Sequence, residues 1–364
     1  MRVAQVIRSV AHVAGTERFV LETTREMTTR GIETRIYTCS ADSRILSNLR
    51  DEIQIVIGGP PSKMPFEIYS SLLVSRHLID VASSWADVII LHSGAGVAEY
   101  GWRKYRLLCI PFFHVDDKYE SKLFGYYRPV ASLYTYPIKL QESRCVRRVP
   151  LVFANSSSLR SGVQLHIQDD RVTIIPLGVN IQRFQPTWND DEYILMVGRI
   201  NPTNNFELGL RAAANTSCKI VVAGIQEQKF SWYFRHLRKL VDESHQLRNR
   251  VEFLTPADDE LIRLLQNCSL FLSPRIYDYL GLAALEAMAC GKPVIAYNAD
   301  EDSHHPPVMK CGKTYSMWQE TLNALMSDRR LREKVGRESR QFIEEHHTWK
   351  NTVDSMLEGI KTGL

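Results

Sequence analysis

Residues 273–296 read SPRIYDYLGLAALEAMACGKPVIA. The apolar run just before, Leu270–Leu272, has the length and composition of a buried strand. Residues 274–280 follow as a loop. Ala283–Ala289 consists of strong helix formers, and Gly-Lys-Pro then turns the chain into a second apolar run, Pro293–Tyr297. Strand, loop, helix, turn and strand in this order form one repeat of a parallel, doubly wound sheet. The loop lies at the carboxyl end of its strand, where open α/β sheets bind ligands. At such a helix start the N–H groups of Gly281, Leu282 and Ala283 have no helical acceptor, and Gly281 lets a ligand come close. Two carboxylates, Asp278 and Glu286, flank this anion site. A carboxylate does not bind phosphate, but it accepts hydrogen bonds from vicinal hydroxyls well. A diphosphate flanked by two polyols has the build of a nucleotide sugar. On spacing alone a plainer reading stays open, in which Glu286 favours the helix dipole and Asp278 is a solvated loop acid.

The same alternation extends in both directions. Strands are predicted at Val3–Ile7, Thr34–Cys39, Ile53–Ile57, Val88–His92, Leu107–Phe113 and Leu151–Ala154, with a helix over Thr16–Arg30 that stops at Gly31. A second series begins after Val172–Leu177, with strands at Tyr193–Val197, Lys219–Ala223 and Val251–Leu254 leading to the opening stretch. Helices fit Glu207–Asn215, Phe230–Glu243, Asp258–Asn267 and Leu282–Cys290, and residues 328–359 read as a charged helical tail. The turn-rich segment PLGVNIQRFQP (176–186) separates the two series. Two Rossmann-like domains are therefore expected, their sheets facing each other across a cleft.

A chain of 364 residues, 44% hydrophobic and 24% charged, is long enough for two such cores. No run of uncharged apolar residues is long enough to cross a membrane. The start, MRVAQVIRSV, is too short and too interrupted by arginine for a signal peptide and reads as a first strand. Seven cysteines at wide spacing, none in C-x-x-C, argue against zinc and against a disulfide framework, and fit a reducing cytoplasm. His304–His305 and His346–His347 are adjacent pairs whose side chains do not converge, so no metal site is expected. Net charge is +4 but uneven: residues 101–150 hold ten Lys/Arg against four acids, with Tyr and Phe between them. That segment is either a solvated face or a surface for anionic lipid or a phosphorylated substrate. No nucleic-acid-binding motif is present. No G-x-G-x-x-G follows the first strand, which weighs against a dehydrogenase.

The opening stretch resembles the retaining GT-B glycosyltransferases of family 4, which carry a strand, Pro-Ser, then E-G-F-G-L and EAMACGKPVIA. Further pieces agree in order: AGTERFVLETTREMTTRGIETRIYT (14–38), FANSSSLR (153–160), IPLGVNIQRFQP (175–186), VGRINPTNNFELGLRAA (197–213), VEFLTPADDELIRLLQNCSLFLSP (251–274) and RLREKVGRESRQFIEEHHTWKNTV (330–353). The resemblance implies an N-terminal acceptor domain, residues 1–178, completed by a C-terminal helix over 345–364. It implies a nucleotide-sugar donor domain over 179–344.

The family's roles carry over as follows. Arg199 occupies the arginine of the diphosphate-binding G-R-x-x-x-x-K turn, and Asn204 stands at its lysine. Asp278 stands at the acid that reaches sugar hydroxyls, and Glu286 at the acid expected on the ribose. His114 falls where the family places a histidine near the donor sugar. Gly15, after Ala14, stands in the N-terminal Gly-Gly loop, with His12 close by. Arg275, three residues before Asp278, is a candidate to replace the charge missing at Asn204. The resemblance implies transfer of a sugar, with retention and without metal or other cofactor, from a nucleotide-diphosphate sugar to a hydroxyl acceptor, a sugar or a lipid-linked molecule. The departing diphosphate takes the acceptor's proton. The basic, aromatic segment 101–150 adds the expectation of peripheral attachment to an anionic membrane surface on the cytoplasmic side. Asn204 and Asp278 keep open a non-catalytic sugar-nucleotide binder or a subunit of a transferase pair, and a GT-B epimerase is a further alternative.

Overall fold

The computed structural model describes residues 1–10, 15–43, 52–58, 77–92, 107–109, 149–156, 171–275, 280–297, 307–311 and 315–363, with single helical positions at 133, 136, 140, 144, 147 and 160. The chain separates into two compact units. One is built mainly from residues before Val179 together with Trp349–Leu364, the other from Val179–Thr348.

In the first unit the described strands are β1 (Arg2–Val6), β2 (Ser9–Val10), β3 (Glu33–Thr38), β4 (Ser40–Ala41), β5 (Gln54–Ile57), β6 (Val88–Leu91), β7 (Leu107–Cys109), β8 (Leu151–Ala154) and β9 (Val172–Ile174). All but β2 and β4 join one parallel sheet in the order β5-β3-β1-β6-β7-β8-β9, while β2 and β4 pair with each other. Burial on both faces explains why β1, β6 and β8 are nearly continuous apolar runs. Helix α1 (Gly15–Thr29) buries Phe19, Val20, Thr23, Thr24 and Met27, residues three and four apart. It ends where the sequence predicts. Gly31 has φ +74°, its N–H donates to Thr28 O, and Ile32 N–H donates to Met27 O, the paired bonds of a left-handed C-cap.

The second unit holds β10 (Tyr193–Val197), α2 (Phe206–Ala213), β11 (Lys219–Ala223), α3 (Ser231–Glu243), β12 (Val251–Leu254), α4 (Asp258–Asn267), β13 (Leu270–Ser273), α5 (Leu282–Ala289), β14 (Val294–Tyr297), β15 (Met309–Cys311), α6 (Tyr315–Ser327) and α7 (Arg329–His346). Its strands are parallel in the order β12-β11-β10-β13-β14-β15. The core lies between this sheet and its helices, around Ile194, Met196, Phe206, Leu210, Leu272 and Trp318.

The charged tail is helical, as its sequence reads, and is divided in two. It is two helices, α7, N-capped by Asp328, whose side chain accepts from Leu331 N–H at 3.0 Å, and α8 (Trp349–Gly363). They part at His347, which leaves helical geometry with ψ 41°. Helix α8 belongs to the first unit and packs on α1, β8 and β9. Trp349, Val353, Met356 and Ile360 form its buried stripe. Gly178 lies against Trp349, so close that a Cβ there would be 2.5 Å from the indole, while on the other side of the break Val179 N–H donates to His347 O at 2.7 Å.

Candidate functional site

Strand β10 has β11 on one side and β13 on the other, so the chain order reverses between β10 and β13. The carboxyl edge at such a reversal is where doubly wound sheets take ligands. From β10 this edge receives Gly198 and Arg199; from β13 it receives Pro274 and Arg275 and, across the loop, α5.

The helix of the opening stretch is delimited at both ends as its residues dictate. Gly281 is the extended N-cap (φ −80°, ψ 165°) and supplies no capping side chain. Its carbonyl accepts from Ala284 and Leu285 N–H. The N–H groups of Leu282 and Ala283 have no acceptor among the described residues. At the other end Gly291, φ +72°, and Lys292 donate to Met288 O and Ala287 O. Lys292 is a structural residue. It is buried, its Nζ donates to the Asn189 carbonyl, and burial pulls its pKa below the ordinary lysine value. Glu286, one turn into α5, is only 3% exposed.

Arg275 points back over the start of this helix. A Cβ on residue 281 would lie 2.1 Å from Arg275 Nη1, so the guanidinium fills the space that glycine leaves. Two positive groups, the helix N-terminus and Arg275, therefore meet at one spot.

The β10–α2 turn is built on Asn201. Its Oδ1 accepts from Thr203 N–H, Thr203 Oγ1 and Asn204 N–H at 3.1, 2.7 and 3.3 Å, winding residues 202–204 into a single 3₁₀ turn before Asn205 takes left-handed geometry (φ 51°). Asn204 is buried in this turn. Its Nδ2 donates to Arg199 O at 2.6 Å, and its amide packs on Gly198. The side chain at the position of the family's lysine thus faces the protein's own backbone. Arg199 is 63% exposed, and its Nη1 lies 3.8 Å from Glu227 Oε1. Glu227, on the loop after β11, also accepts from Asn201 Nδ2 at 3.2 Å and lies 3.3 Å from Lys229 Nζ. Gly224 permits this crowding, since a Cβ there would fall 1.8 Å from Gly198 O. The sequence gives no sign of Glu227, because its neighbours come from a different strand end.

In the first unit, Gly15 is the exposed first residue of α1. Below it lies a buried polar chain that the sequence does not announce. Gln5, fully buried in β1, donates from Nε2 to Thr24 Oγ1 at 2.7 Å and Thr23 Oγ1 at 3.1 Å, both on α1. His92 Nε2, at the end of β6, is 2.7 Å from Gln5 Oε1. With the Gln5 amide committed to the threonines, Oε1 must accept, so His92 is the neutral Nε2–H tautomer. Burial drives its pKa down to about 3. His12, Ala14, His114 and Asp278 lie outside the described residues.

The two halves of the chain match two families. Residues 13–183 match the family described as Glycosyltransferase Family 4, and residues 179–342 match Glycosyl transferases group 1. Among curated proteins, a D-inositol 3-phosphate glycosyltransferase of Stackebrandtia nassauensis is 28% identical over 57% of this chain and 52% of its own length. One of the same description from Rhodococcus opacus is 25% identical over 61% and 55%. The chain thus spans about half the length of the curated relatives it matches. Anabaena HepE, solved in complex with UDP and glucose, superposes with TM-score 0.76 at 15% identity over 100% of both chains. Sucrose-phosphate synthase from Thermosynechococcus elongatus superposes with TM-score 0.76 at 18% identity, over 99% of this chain and 98% of that one. These likenesses establish the GT-B fold.

Proposed function

The chain belongs to the family-4, group-1 glycosyltransferases, and from that premise we propose that it moves a sugar from a nucleotide-diphosphate sugar to a hydroxyl acceptor with retention of configuration. The observation that carries this reading is the start of α5 at the β10/β13 reversal. Two N–H groups without acceptors among the described residues, an arginine head and a buried carboxylate stand there on adjoining turns of chain. In this reading Leu282 and Ala283 N–H bind the diphosphate and Glu286 accepts from the ribose hydroxyls. Asp278, between β13 and α5 in the sequence, bonds the transferred sugar.

The reaction breaks the bond between the anomeric carbon and a diphosphate oxygen and forms one from that carbon to the acceptor oxygen. The acceptor's proton passes to the departing diphosphate. Negative charge grows on the diphosphate, so fixed positive groups lower the barrier, each on the order of 3 kcal/mol by comparison with single oxyanion donors. Arg199 and the α5 N-terminus supply such groups without a metal.

The acceptor is a sugar or a lipid-linked molecule on a membrane surface. Among the described residues no helix is long and apolar enough to cross a membrane. Leu133, Tyr136, Leu140, Arg144 and Arg147 are described as helical positions and are exposed. Exposed apolar side chains and arginines, in a segment with six excess positive charges, suit peripheral attachment to the anionic cytoplasmic leaflet.

Incubation with a panel of UDP-, GDP- and ADP-sugars, read by nucleoside diphosphate release and by NMR of the anomeric proton, tests the reading. The expected result is release with one donor class and a product of unchanged anomeric configuration. Binding without release from any donor supports the second reading, a non-catalytic sugar-nucleotide binder, which the buried Asn204 and the Arg199–Glu227 contact favour.

A further inference from the structure

We infer that the outer face of α3, with the loop that leads into it, is a contact surface for anionic lipid, carried by the second unit and separate from residues 101–150. This contact is independent of the transferase reading and of that segment, since all its residues lie in one unit.

Helix α3 gives its inward stripe to the core. Tyr233, Leu237 and Val241 are buried there, and Tyr233 Oη accepts from Glu207 N–H at 3.4 Å. The outward face holds Trp232, Arg235 and Lys239, three and four residues apart and all exposed. Trp232 is 49% exposed, and Ile225, on the loop from β11, is 62% exposed. A single exposed apolar residue is ordinary, but the other described tryptophans are covered. Trp318 and Trp349 are buried, Trp85 lies under Arg35 at 4.2 Å, and Trp188 lies under Arg337 at 4.4 Å. Trp232 meets the Tyr233 ring edge-on at 5.8 Å, and no cation covers it among the described residues.

The charge around Trp232 has one sign. From Gln228 to Val241 the chain carries Lys229, Arg235, Arg238 and Lys239 and no carboxylate. Arg235 and Arg238 have no acidic partner among the described residues, and Arg238 lies 5.9 Å from the rings of Phe234 and Phe253. Lys229 and Lys239 lie 3.3 and 3.6 Å from Glu227 and Glu243, the acids just outside this stretch, and are 69% and 72% exposed. The exposed cations of α7 are placed differently, since Arg329 and Lys334 each face an acid four residues on, Glu333 and Glu338.

An indole among cations of this kind fits the headgroup layer of a bilayer. The ring lies where its apolar body and its N–H are both satisfied, and the long lysine and arginine stems carry their charges to lipid phosphates. Two exposed apolar side chains fall short of the apolar centre that a protein partner would bury.

The test is binding of the full chain to phosphatidylcholine vesicles with and without phosphatidylglycerol. R235Q/K239Q should weaken binding to the anionic vesicles by about fivefold for each cation removed and leave recovery on phosphatidylcholine alone unchanged. R329Q/K334Q removes the same charge from α7 and should stay within about twofold of wild type, because distant charges are screened. Brominated phosphatidylglycerol should quench wild-type tryptophan fluorescence, and Trp232→Phe should remove part of that quenching, which a mere change in stability does not do. Equal affinity of wild type and R235Q/K239Q overturns the inference, as does equal loss from R329Q/K334Q or quenching unchanged by Trp232→Phe. Loss from Leu133→Glu with Tyr136→Glu alone assigns attachment to residues 101–150 and likewise overturns it. Wild type that ignores anionic vesicles overturns it too, and leaves this face to an acidic protein.

Discussion

Glu286 is a carboxylate with almost no exposure, on a helix whose other core-facing residues are alanines, leucine and methionine. Apolar packing alone would not select it. A glutamine keeps its shape and loses only the charged acceptor, so Glu286→Gln should weaken nucleoside diphosphate binding by about 1–3 kcal/mol, measured by calorimetry. Unchanged affinity removes the ribose assignment. His92 makes a second residue-level prediction. Its folded pKa of about 3 lies below the ordinary 6.5, so the folded chain holds it neutral while the unfolded chain takes up a proton. The unfolded state then binds more protons between about pH 6.5 and 3, and stability falls as pH drops through that window. His92→Gln should melt below wild type at pH 7.5, and the gap in Tm should narrow at pH 5. A constant gap means that His92 does not titrate as its burial requires. Glu286 and Gly281 were legible in the sequence because both sit within one strand–loop–helix repeat. Glu227 and the Gln5–His92 pair were not, since their partners are brought together only by strand pairing.

At the scale of elements, three of the strands that coincide with their sequence readings are mostly buried, and the fourth, at a sheet edge, is half-buried along its length. Leu151–Ala154, Tyr193–Val197, Lys219–Ala223 and Val251–Leu254 begin and end as expected. Strand β15 was not expected, because three residues at a sheet edge leave no periodicity to read. Nor was α6, whose partly exposed Tyr315 and Met317 blur its stripe. Helix α7 is anchored by a pair that its sequence does not reveal. Arg332 donates to Asp190 Oδ2 at 3.0 Å from Nε and 2.6 Å from Nη2, and to the carbonyls of Leu325 and Met326. Burial alone would raise the Asp190 pKa, but the Ser269 hydroxyl and Arg332 outweigh it and hold the carboxyl below its ordinary value. Both side chains are nearly buried, at 8% and 12% exposure. Removing one partner leaves the other charge uncompensated, so Arg332→Ala should cost about 3–5 kcal/mol by urea denaturation. A loss below about 1 kcal/mol would put the pair in the class of surface bridges.

For the whole molecule, the basic, aromatic segment makes a prediction that no single residue carries. If it attaches the protein to anionic lipid, cosedimentation should favour anionic over neutral liposomes. Attraction of about 1 kcal/mol per basic residue at the surface should fade as salt shortens the screening length. Leu133→Glu with Tyr136→Glu should lower recovery at low salt by removing two exposed apolar side chains and adding like charge. Equal recovery on both lipids, or none at low salt, reduces residues 101–150 to a solvated face and points to a soluble acceptor. The return of α8 to the first unit also belongs to this scale. The tail sequence shows an amphipathic helix, but its surface on α1, β8 and β9 exists only once the sheet has formed.

The sequence by itself determined the α/β class, the two-unit order, the family, and the loop that ends at the start of α5. Each of these is written in local spacing: apolar runs of strand length, helix formers between them, and glycines at the two ends of one helix. The tertiary structure alone decided which side chains meet. It turned Asn204 inward onto Arg199 O, set Glu227 beside Arg199, laid Arg275 over Gly281 and joined Gln5 to His92 across two strands. The physical reason is that a buried polar group must find a partner. In a parallel sheet, the partners at one carboxyl edge come from strands tens of residues apart.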